Sequence, residues 1–374
     1  MKSRAALLYG QGQEFVIDEV EVDDPKAGEI MVKLAASGLC HSDYHMVTGE
    51  FGPEFYWPMC GGHEGAGTVV KVGEGVNHLK EGDTVLLTFI PACGQCKWCS
   101  QGLSMICDNG ANILAGPQLL DGTFRMHSSK GEDVGQFCFI STFSEYTTCP
   151  AISAVKVEPD LDLTKLCIVG CCVPTGFGSA VNTADVQPGE SVVVYGIGGV
   201  GINAIQGAAI KGAAQVIAVD PVDFKLEVAE QLGATHTINP TKENVLERIQ
   251  ELTNGIGARK AIITIDCPTP DDIGLAFNST SKGGRTVLTS VTNVKYNQIN
   301  ISPFLLTLFK KELVGSLYGD STIQSDLPRY IGLYRAGKLK VDELVTNTYT
   351  LDQINEGYKD MLAGKNIRGV MIYD

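Results

Sequence analysis

No apolar run in the 374-residue chain approaches the ~20 residues of a membrane-spanning helix. Positive charge is also scarce. Lys and Arg number 29 against 43 Asp and Glu, a formal net charge of −14. The first absence argues against a membrane protein. The second argues against nucleic acid or an anionic membrane as the main partner, since both are polyanions. A neutral small molecule tolerates such a field, whereas an anionic cofactor needs a local exception to it. Internal repeats, low-complexity tracts and long charge runs are missing too. The opening MKSRAALLYGQGQEF has only a short apolar patch, broken by Gly, Gln and Glu, unlike a secretory leader.

Hydrophobic residues make up 44% of the chain, enough for a packed core. The length suits two domains or one large one. These features predict a cytoplasmic protein, in which the twelve cysteines serve as thiols and metal ligands rather than disulfides.

AALLY, EFVIDEVEV, EIMVKLAAS, AGTVVKVGEGV and DTVLLTF read as strands separated by glycine-rich turns, so the first part is β-rich. Near residue 180 the pattern becomes alternating β and α. SVVVY, QVIAVD, KAIITIDC, GRTVLTSV and LVGSLYG read as strands, and NAIQGAAIKGAA, FKLEVAEQLGA and ENVLERIQELT as helices. Apolar strands alternating with helices predict a doubly wound parallel sheet. The tail reads as helix, strand, helix and the closing strand RGVMIYD. The expected organisation is residues 1–178, 179–317 and a return to the first domain over 318–374.

The turn Gly196-x-Gly198-x-x-Gly201 follows an apolar strand and opens a helix. In that setting the first glycine permits the tight turn, the second lets a pyrophosphate approach the backbone, and the third lets helix and sheet pack closely. The helix N-terminus supplies free N–H groups, the local exception to an acidic surface. Asp220 ends the next strand, where a carboxylate receives a ribose 2′-OH and repels a 2′-phosphate, favouring NAD over NADP.

Cys93, Cys96, Cys99 and Cys107 have the spacing C-x2-C-x2-C-x7-C, which suits a closed, structural tetrahedral zinc site spanning residues 93–107. An iron–sulfur cluster or free thiols are the alternatives. The stretch CHSDYHMVTGEFGPEFYWPMCGGHE, residues 40 to 64, holds two further zinc-type donors, Cys40 and His63. Near them are the groups Ser42, Asp43, His45 and Glu64. A third donor is to be sought in LCIVGCCVPTGFGSAV, with Cys167, Cys171 and Cys172.

CHSDYH, GGHEGAG, the four-cysteine lobe, GCCVPTGFGSAV and GIGGVG, in that order, resemble the zinc-containing medium-chain alcohol dehydrogenases over essentially the whole chain. FIPACGQCKWC and LDGTFRMH…GEDVGQ bring it nearer to the nitrosoaniline-dependent branch, which keeps NAD(H) bound through the catalytic cycle. The resemblance implies a GroES-like catalytic domain joined to a Rossmann domain. It also implies an NAD-dependent zinc alcohol dehydrogenase with two zinc ions per chain, one catalytic and one structural. Cys2His is the ligand set of the family's catalytic zinc. The resemblance places its third ligand on Cys171, with Cys172 the alternative one position away.

It further implies Asp43 and Glu64 as carboxylate support for the metal site, and Ser42 and His45 as the proton relay. Contacts to the dinucleotide fall on His41, Thr175, Gly196, Gly198, Gly199, Val200, Gly201, Asp220, Lys225 and Arg368, with Arg368 at the pyrophosphate. Phe89 and Trp57 are candidate pocket walls. His41 replaces the Arg of many relatives. Residues 108 to 116, DNGANILAG, lack the basic residue of the glutathione-linked formaldehyde branch, which favours a simple alcohol over a thiol adduct. The competing readings are a non-catalytic dinucleotide- and zinc-binding structural protein, a thiol-based metal buffer, and the thiol-adduct formaldehyde dehydrogenase. The expected partners are a small alcohol or aldehyde, an electron acceptor that reoxidises the cofactor in place, and a second copy of the chain. ISPFLLTLF and ELVGSLYG are expected to supply edge strands for a homodimer or homotetramer.

Overall fold

A computed structural model describes residues 1–52 and 55–374. The chain forms two compact units. One comprises Met1–Cys171, Thr322–Gly332 and Val341–Asp374, and the other Cys172–Ser321 and Leu333–Lys340.

The first unit is β-rich. A closed barrel is made by Lys2–Leu8, Val16–Val22, Met126–Ser128, Asp133–Gln136 and Met59–Cys60. A second sheet runs Ala154–Val157, Thr84–Thr88, Glu64–Val72, Glu29–Gly38, Arg368–Ile372 and Val345–Tyr349, with Tyr146–Pro150 also paired to Glu29–Gly38. Apolar residues of these strands, among them Leu7, Ile30, Val32 and Met59, share one core with Phe143 and Tyr358. The closing strand Arg368–Ile372 pairs antiparallel with Glu29–Gly38, which carries the chain's end to the segment leading into Cys40.

The second unit is a six-stranded parallel sheet in the order His236–Ile238, Gln215–Val219, Ser191–Tyr195, Ala258–Ile263, Thr280–Leu288, Glu312–Gly315. Its central strands are Val- and Ile-rich because both faces are covered. Val193, Ile217 and Ile263 are buried with Ile249 and Ile273 from the helices Val245–Leu252 and Pro270–Ser279. The strand order reverses between Ser191–Tyr195 and Ala258–Ile263, the switch point of a doubly wound sheet.

One expectation is corrected. ISPFLLTLF does not supply an edge strand but folds as the helix Pro303–Leu308. Ser302 accepts the Leu305 N–H as its cap, and Pro303 occupies the first helical position, where a missing N–H is harmless. Of the two segments it is ELVGSLYG that reaches an edge of the sheet, as Glu312–Gly315. Among the described residues no single helix is long and apolar enough to cross a membrane.

Candidate metal centre and dinucleotide turn

Cys40 ends the loop after Glu29–Gly38 and stands at the N-cap of the helix His41–Thr48. His63 sits immediately before the strand Glu64–Val72, and Cys171 follows the short helical turn Cys167–Gly170. These three segments bring Cys40, His63 and Cys171 together. Their ligand atoms lie within 4.8 Å of one another and all three residues are buried.

The surroundings orient the imidazole. Asp43, fully buried on the helix after Cys40, accepts the Gly62 N–H at 2.7 Å and places its other oxygen 3.1 Å from His63 Nδ1. With Nδ1 against the carboxylate, Nε2 is the atom left for a metal. That atom is buried without a hydrogen-bond partner among the described residues. Two thiols and this imidazole nitrogen fit zinc by atom type. Gly62 takes φ +97°, and a Cβ there would lie 2.4 Å from Thr142 Oγ1 and 2.7 Å from backbone nitrogens, so only glycine lets the chain reach His63 by this path.

Without metal, the three groups hold an uneven charge. The hydrogen bond from Cys171, helped by Arg368 and His63, draws the Cys40 thiol well below its ordinary value despite burial. The same contact and burial push Cys171 well up. Burial works to lower His63, but Asp43 and Cys40 outweigh it and raise the imidazole well above its usual range. Cys40 is therefore the sulfur most disposed to give up its proton to a divalent cation.

The second donor set is local. Cys93, Cys96, Cys99 and Cys107 also hold their ligand atoms within 4.8 Å. The Sγ separations are 4.0 Å for Cys93–Cys99, 3.8 Å for Cys96–Cys107 and 3.5 Å for Cys93–Cys107. Zn–S bonds of about 2.3 Å in a tetrahedron require separations of about 3.8 Å. Backbone N–H groups point at the sulfurs, including Cys96 N to Cys93 Sγ at 3.3 Å and Cys99 N to Cys96 Sγ at 3.5 Å. Backbone hydrogen bonds from Cys99 and Asp108 draw the Cys96 thiol down to about 6. All twelve cysteines are unbridged.

In the second unit the glycine turn connects Ser191–Tyr195 to the helix Gly199–Ile210. Gly196 has φ +87°, and a Cβ there would lie 2.6 Å from the Ile265 nitrogen. A Cβ on Gly201 would lie 1.9 Å from the Gly196 carbonyl oxygen. A Cβ on Gly198 would meet nothing within 4 Å, so the turn is open where a phosphate would approach. Asp220 is held by two backbone donors, Ile197 N–H at 2.7 Å and Val222 N–H at 2.9 Å, which fixes its carboxylate beside the turn.

Residues 26–159 match the family described as alcohol dehydrogenase GroES-like domain, and residues 199–335 match zinc-binding dehydrogenase. The chain is 47% identical over 373 residues to the NDMA-dependent alcohol dehydrogenase of Amycolatopsis methanolica, covering 100% of this chain and 99% of that protein. It belongs to the zinc-containing medium-chain alcohol dehydrogenases.

Alcohol dehydrogenase B of Mycobacterium tuberculosis is 43% identical over the same span, covering 100% of this chain and 99% of that one. The S-(hydroxymethyl)glutathione dehydrogenase of Paracoccus denitrificans is 37% identical and is covered end to end. Among solved structures, the benzyl alcohol dehydrogenase of Acinetobacter calcoaceticus superposes with a TM-score of 0.93 at 28% identity over the full length of both chains. The chain is thus an alcohol dehydrogenase, an enzyme that interconverts alcohols and carbonyl compounds. The non-catalytic and metal-buffer readings give way to it.

In this alcohol dehydrogenase Ser42 Oγ lies 3.7 Å from Cys40 Sγ, and His45 is three residues further along the same helix, hence on the same face. His41 is half-buried at the start of that helix. Thr175 lies in the helix Cys172–Gly178, while Gly199 and Val200 open Gly199–Ile210. A Cβ on Gly176 would be 1.9 Å from the Val200 carbonyl oxygen, so these two helices pack at backbone distance. Lys225 is half-buried on the helix Asp223–Gln231. Cys172 stands apart from the three-donor group, and its sulfur accepts from the Asn203 amide at 3.7 Å. Arg368, expected at a pyrophosphate, is buried and ion-paired with Glu64. A Cβ on Gly38 would lie 2.3 Å from Glu64 Oε1, so that glycine makes room for the pair.

The rings around the site were only partly foreseen. Phe89 packs edge-on to His63 at 5.7 Å between centroids, as a pocket wall would. Phe137 does the same from another side at 5.6 Å, and Phe51 meets the His45 ring at 5.3 Å. Trp57 contacts Phe55 at 5.7 Å. Phe137 and Phe51 carry no sequence signal, because an isolated Phe reads as core.

Proposed function

We propose that this enzyme is a two-zinc, NAD(H)-holding alcohol dehydrogenase. Cys40, His63 and Cys171 hold the catalytic ion, Cys93, Cys96, Cys99 and Cys107 the structural one, and the glycine turn with Asp220 the dinucleotide. The buried Cys2His donor set carries the reading. Three protein ligands would leave a bound zinc open to an alcohol. When bound, zinc supplies a Lewis acid that acidifies the alcohol, and NAD supplies the hydride acceptor.

The protein's own residues do the rest. Asp43 fixes the His63 ring through Nδ1. Glu64 and Arg368 neutralise each other behind the donors and leave the site's charge to the thiolates. Ser42 Oγ takes the alcohol's proton, and His45, on the same helical face, is the imidazole that returns it to solvent. His41 and Lys225 are the basic groups for the cofactor, with Thr175 and Val200 at its nicotinamide.

The substrate is a small or medium apolar primary alcohol. Phe89 and Phe137 give the metal site aromatic walls, residues 108–116 offer no cation to an anionic thiol adduct, and a relative of the same fold is named for benzyl alcohol. The full-length likeness to the NDMA-dependent enzyme supports retention of NAD(H) through the cycle. The unbridged cysteines suit a reducing, cytoplasmic location.

Association is proposed through the edge strand Glu312–Gly315. Exposed Phe304, Leu308 and Leu317 flank it, and the edge would pair with its own copy about a two-fold axis.

After gel filtration, denaturation should release close to one NAD(H) per chain. Alcohol oxidation should then run with a nitrosoaniline acceptor and no added NAD. Protein that leaves the column empty and turns over only with free NAD would be a conventional exchanging dehydrogenase.

A further inference from the structure

Two buried glutamines, Gln118 and Gln136, lie outside the donor sets and the dinucleotide turn. Gln136 ends the strand Asp133–Gln136, and the helical turn Phe137–Phe139 follows it directly. The backbone here is unusual. Cys138, Phe139 and Ser141 have φ of +54°, +65° and +37°, a region that residues other than glycine seldom occupy. Such backbone persists only where its surroundings over-determine it, and it gathers at active sites. Phe137 opens the turn.

The two amides supply the restraint. Gln118 Nε2 donates to Gln136 Oε1 at 2.8 Å and to the Phe139 carbonyl at 2.9 Å. Gln136 Nε2 donates to Thr147 Oγ1 and to the Thr148 carbonyl, both at 3.1 Å. Thr147 Oγ1 gives its own proton to the Ile140 carbonyl at 2.6 Å. Each amide nitrogen has two protons and the hydroxyl one, and all are placed. Turning either amide over would set an oxygen against the Phe139 or Thr148 carbonyl. The orientation is therefore fixed, although Gln118 Oε1 is buried with no partner among the described residues.

Gln118 is itself anchored. Its backbone N–H donates to the Thr123 carbonyl at 2.8 Å, and Asp121 in that turn pairs with Arg125 at 3.0 Å. Arg125 is buried against Glu29, which accepts from its guanidinium at 2.8 and 2.9 Å. Glu29 begins the strand Glu29–Gly38, which leads to Cys40. The stretches LDGTFRMH and GEDVGQ, prominent in the sequence, thus build the support of one turn.

What the turn carries gives that support a purpose. The Phe137 ring lies 5.6 Å from the His63 ring and 6.5 Å from Phe51, which lies 5.3 Å from the His45 ring. Phe137 is the ring between the metal donor and the relay imidazole. Any shift of the Phe139 and Ile140 carbonyls moves Phe137 with the backbone, and small misplacements beside a reacting centre are costly.

We infer that the Gln118–Gln136 amide pair is a positioning device for substrate selection. It holds the left-handed turn that sets Phe137, and so fixes the wall on which the flat ring of an aromatic primary alcohol packs. The inference rests on the reading of Phe137 as a pocket wall. Gln118 and Gln136 are positioning residues, acting through Phe137.

The test uses the holoenzyme, with NAD and a nitrosoaniline acceptor both supplied. It reads the ratio of kcat/KM for benzyl alcohol to that for ethanol, which cancels differences in active fraction. Phe137→Leu should lower the ratio about tenfold, the lower end of what a pocket contact discriminates. Gln118→Met keeps the length and removes both N–H groups. It should lower the ratio about fivefold, the worth of one hydrogen bond, with zinc content unchanged. Added to Phe137→Leu, Gln118→Met should change the ratio no further, because its effect passes through that ring. Thr147→Val, which frees the Ile140 carbonyl, replaces Gln118→Met if that variant does not fold. A ratio unchanged in the Gln118 or Thr147 variant, or an equal fall with and without the Phe137 ring, would overturn the inference alone. A ratio unchanged in Phe137→Leu would overturn the wall reading and the inference with it.

Discussion

Cys93, Cys96, Cys99 and Cys107 come from one short stretch and are mostly half-exposed, whereas Cys40, His63 and Cys171 are drawn from three distant segments and are buried. Local donors close around an ion and need little besides backbone N–H groups. Distant donors meet only if the fold is already correct, and they bring support with them: Asp43 on His63, Arg368 on Glu64, and the rings of Phe89 and Phe137. A closed site made from local sequence stabilises a loop that has little core. A buried site assembled at long range can leave a coordination position to a substrate and control what surrounds it.

The contrast breaks most sharply at the ligands. Cys171→Ala should lower alcohol oxidation on the order of 10³-fold or more, the scale seen when a group that stabilises transition-state charge is removed, with the melting temperature little changed. Cys96→Ala should reverse the pattern. The lobe would lose its cross-link, at roughly 2–4 kcal/mol, and thermal unfolding should fall by about 4–16 °C, with residual turnover in the folded fraction. Equal thermal losses in both variants would erase the distinction.

Asp43→Asn tests the support shell. Loss of carboxylate support to a ligand histidine weakens metal binding about 10–100-fold, and a competitive chelator titration would read it. The same variant tests the proton balance. In the metal-free site His63 is held well above its usual range by Asp43 and Cys40 against burial, and Cys171 is raised as well. With both groups holding their protons more firmly, zinc binding should release protons and weaken as pH falls. Asp43→Asn removes part of what raises His63 and should reduce the release, measured by calorimetry in buffers of different ionisation enthalpy. A raised histidine also stabilises the metal-free fold below its unfolded value, a contribution lost as pH rises through the folded one. The smallest effect is expected at His45. His45→Gln should slow oxidation chiefly below neutral pH and change its pH profile, while zinc content stays intact. An unchanged pH profile would leave His45 a packing residue against Phe51.

Local pattern explains what the sequence made legible. The glycine turn, the four-cysteine spacing and the β-then-β/α texture are short-range signals, and five of the six parallel strands appear where apolar runs predicted them, the unforeseen one being the short edge strand His236–Ile238. Cys40 and His63 stood out as donor types, but their third partner came only through resemblance, because nothing local joins residue 63 to residue 171. The Glu64–Arg368 pair was hidden for the same reason, as it spans most of the chain. The run ISPFLLTLF was misjudged on hydrophobicity alone, although Ser302-Pro303 was a helix-start signal.

Zinc content tests the central claim most directly. Elemental analysis of purified wild type, Cys171→Ala and Cys172→Ala should give about two, one and two zinc ions per chain, with one position lost only when the buried Cys2His set is broken. Loss of an ion in Cys172→Ala with none lost in Cys171→Ala, or a wild type with only the lobe occupied, would contradict the assignment of the catalytic centre.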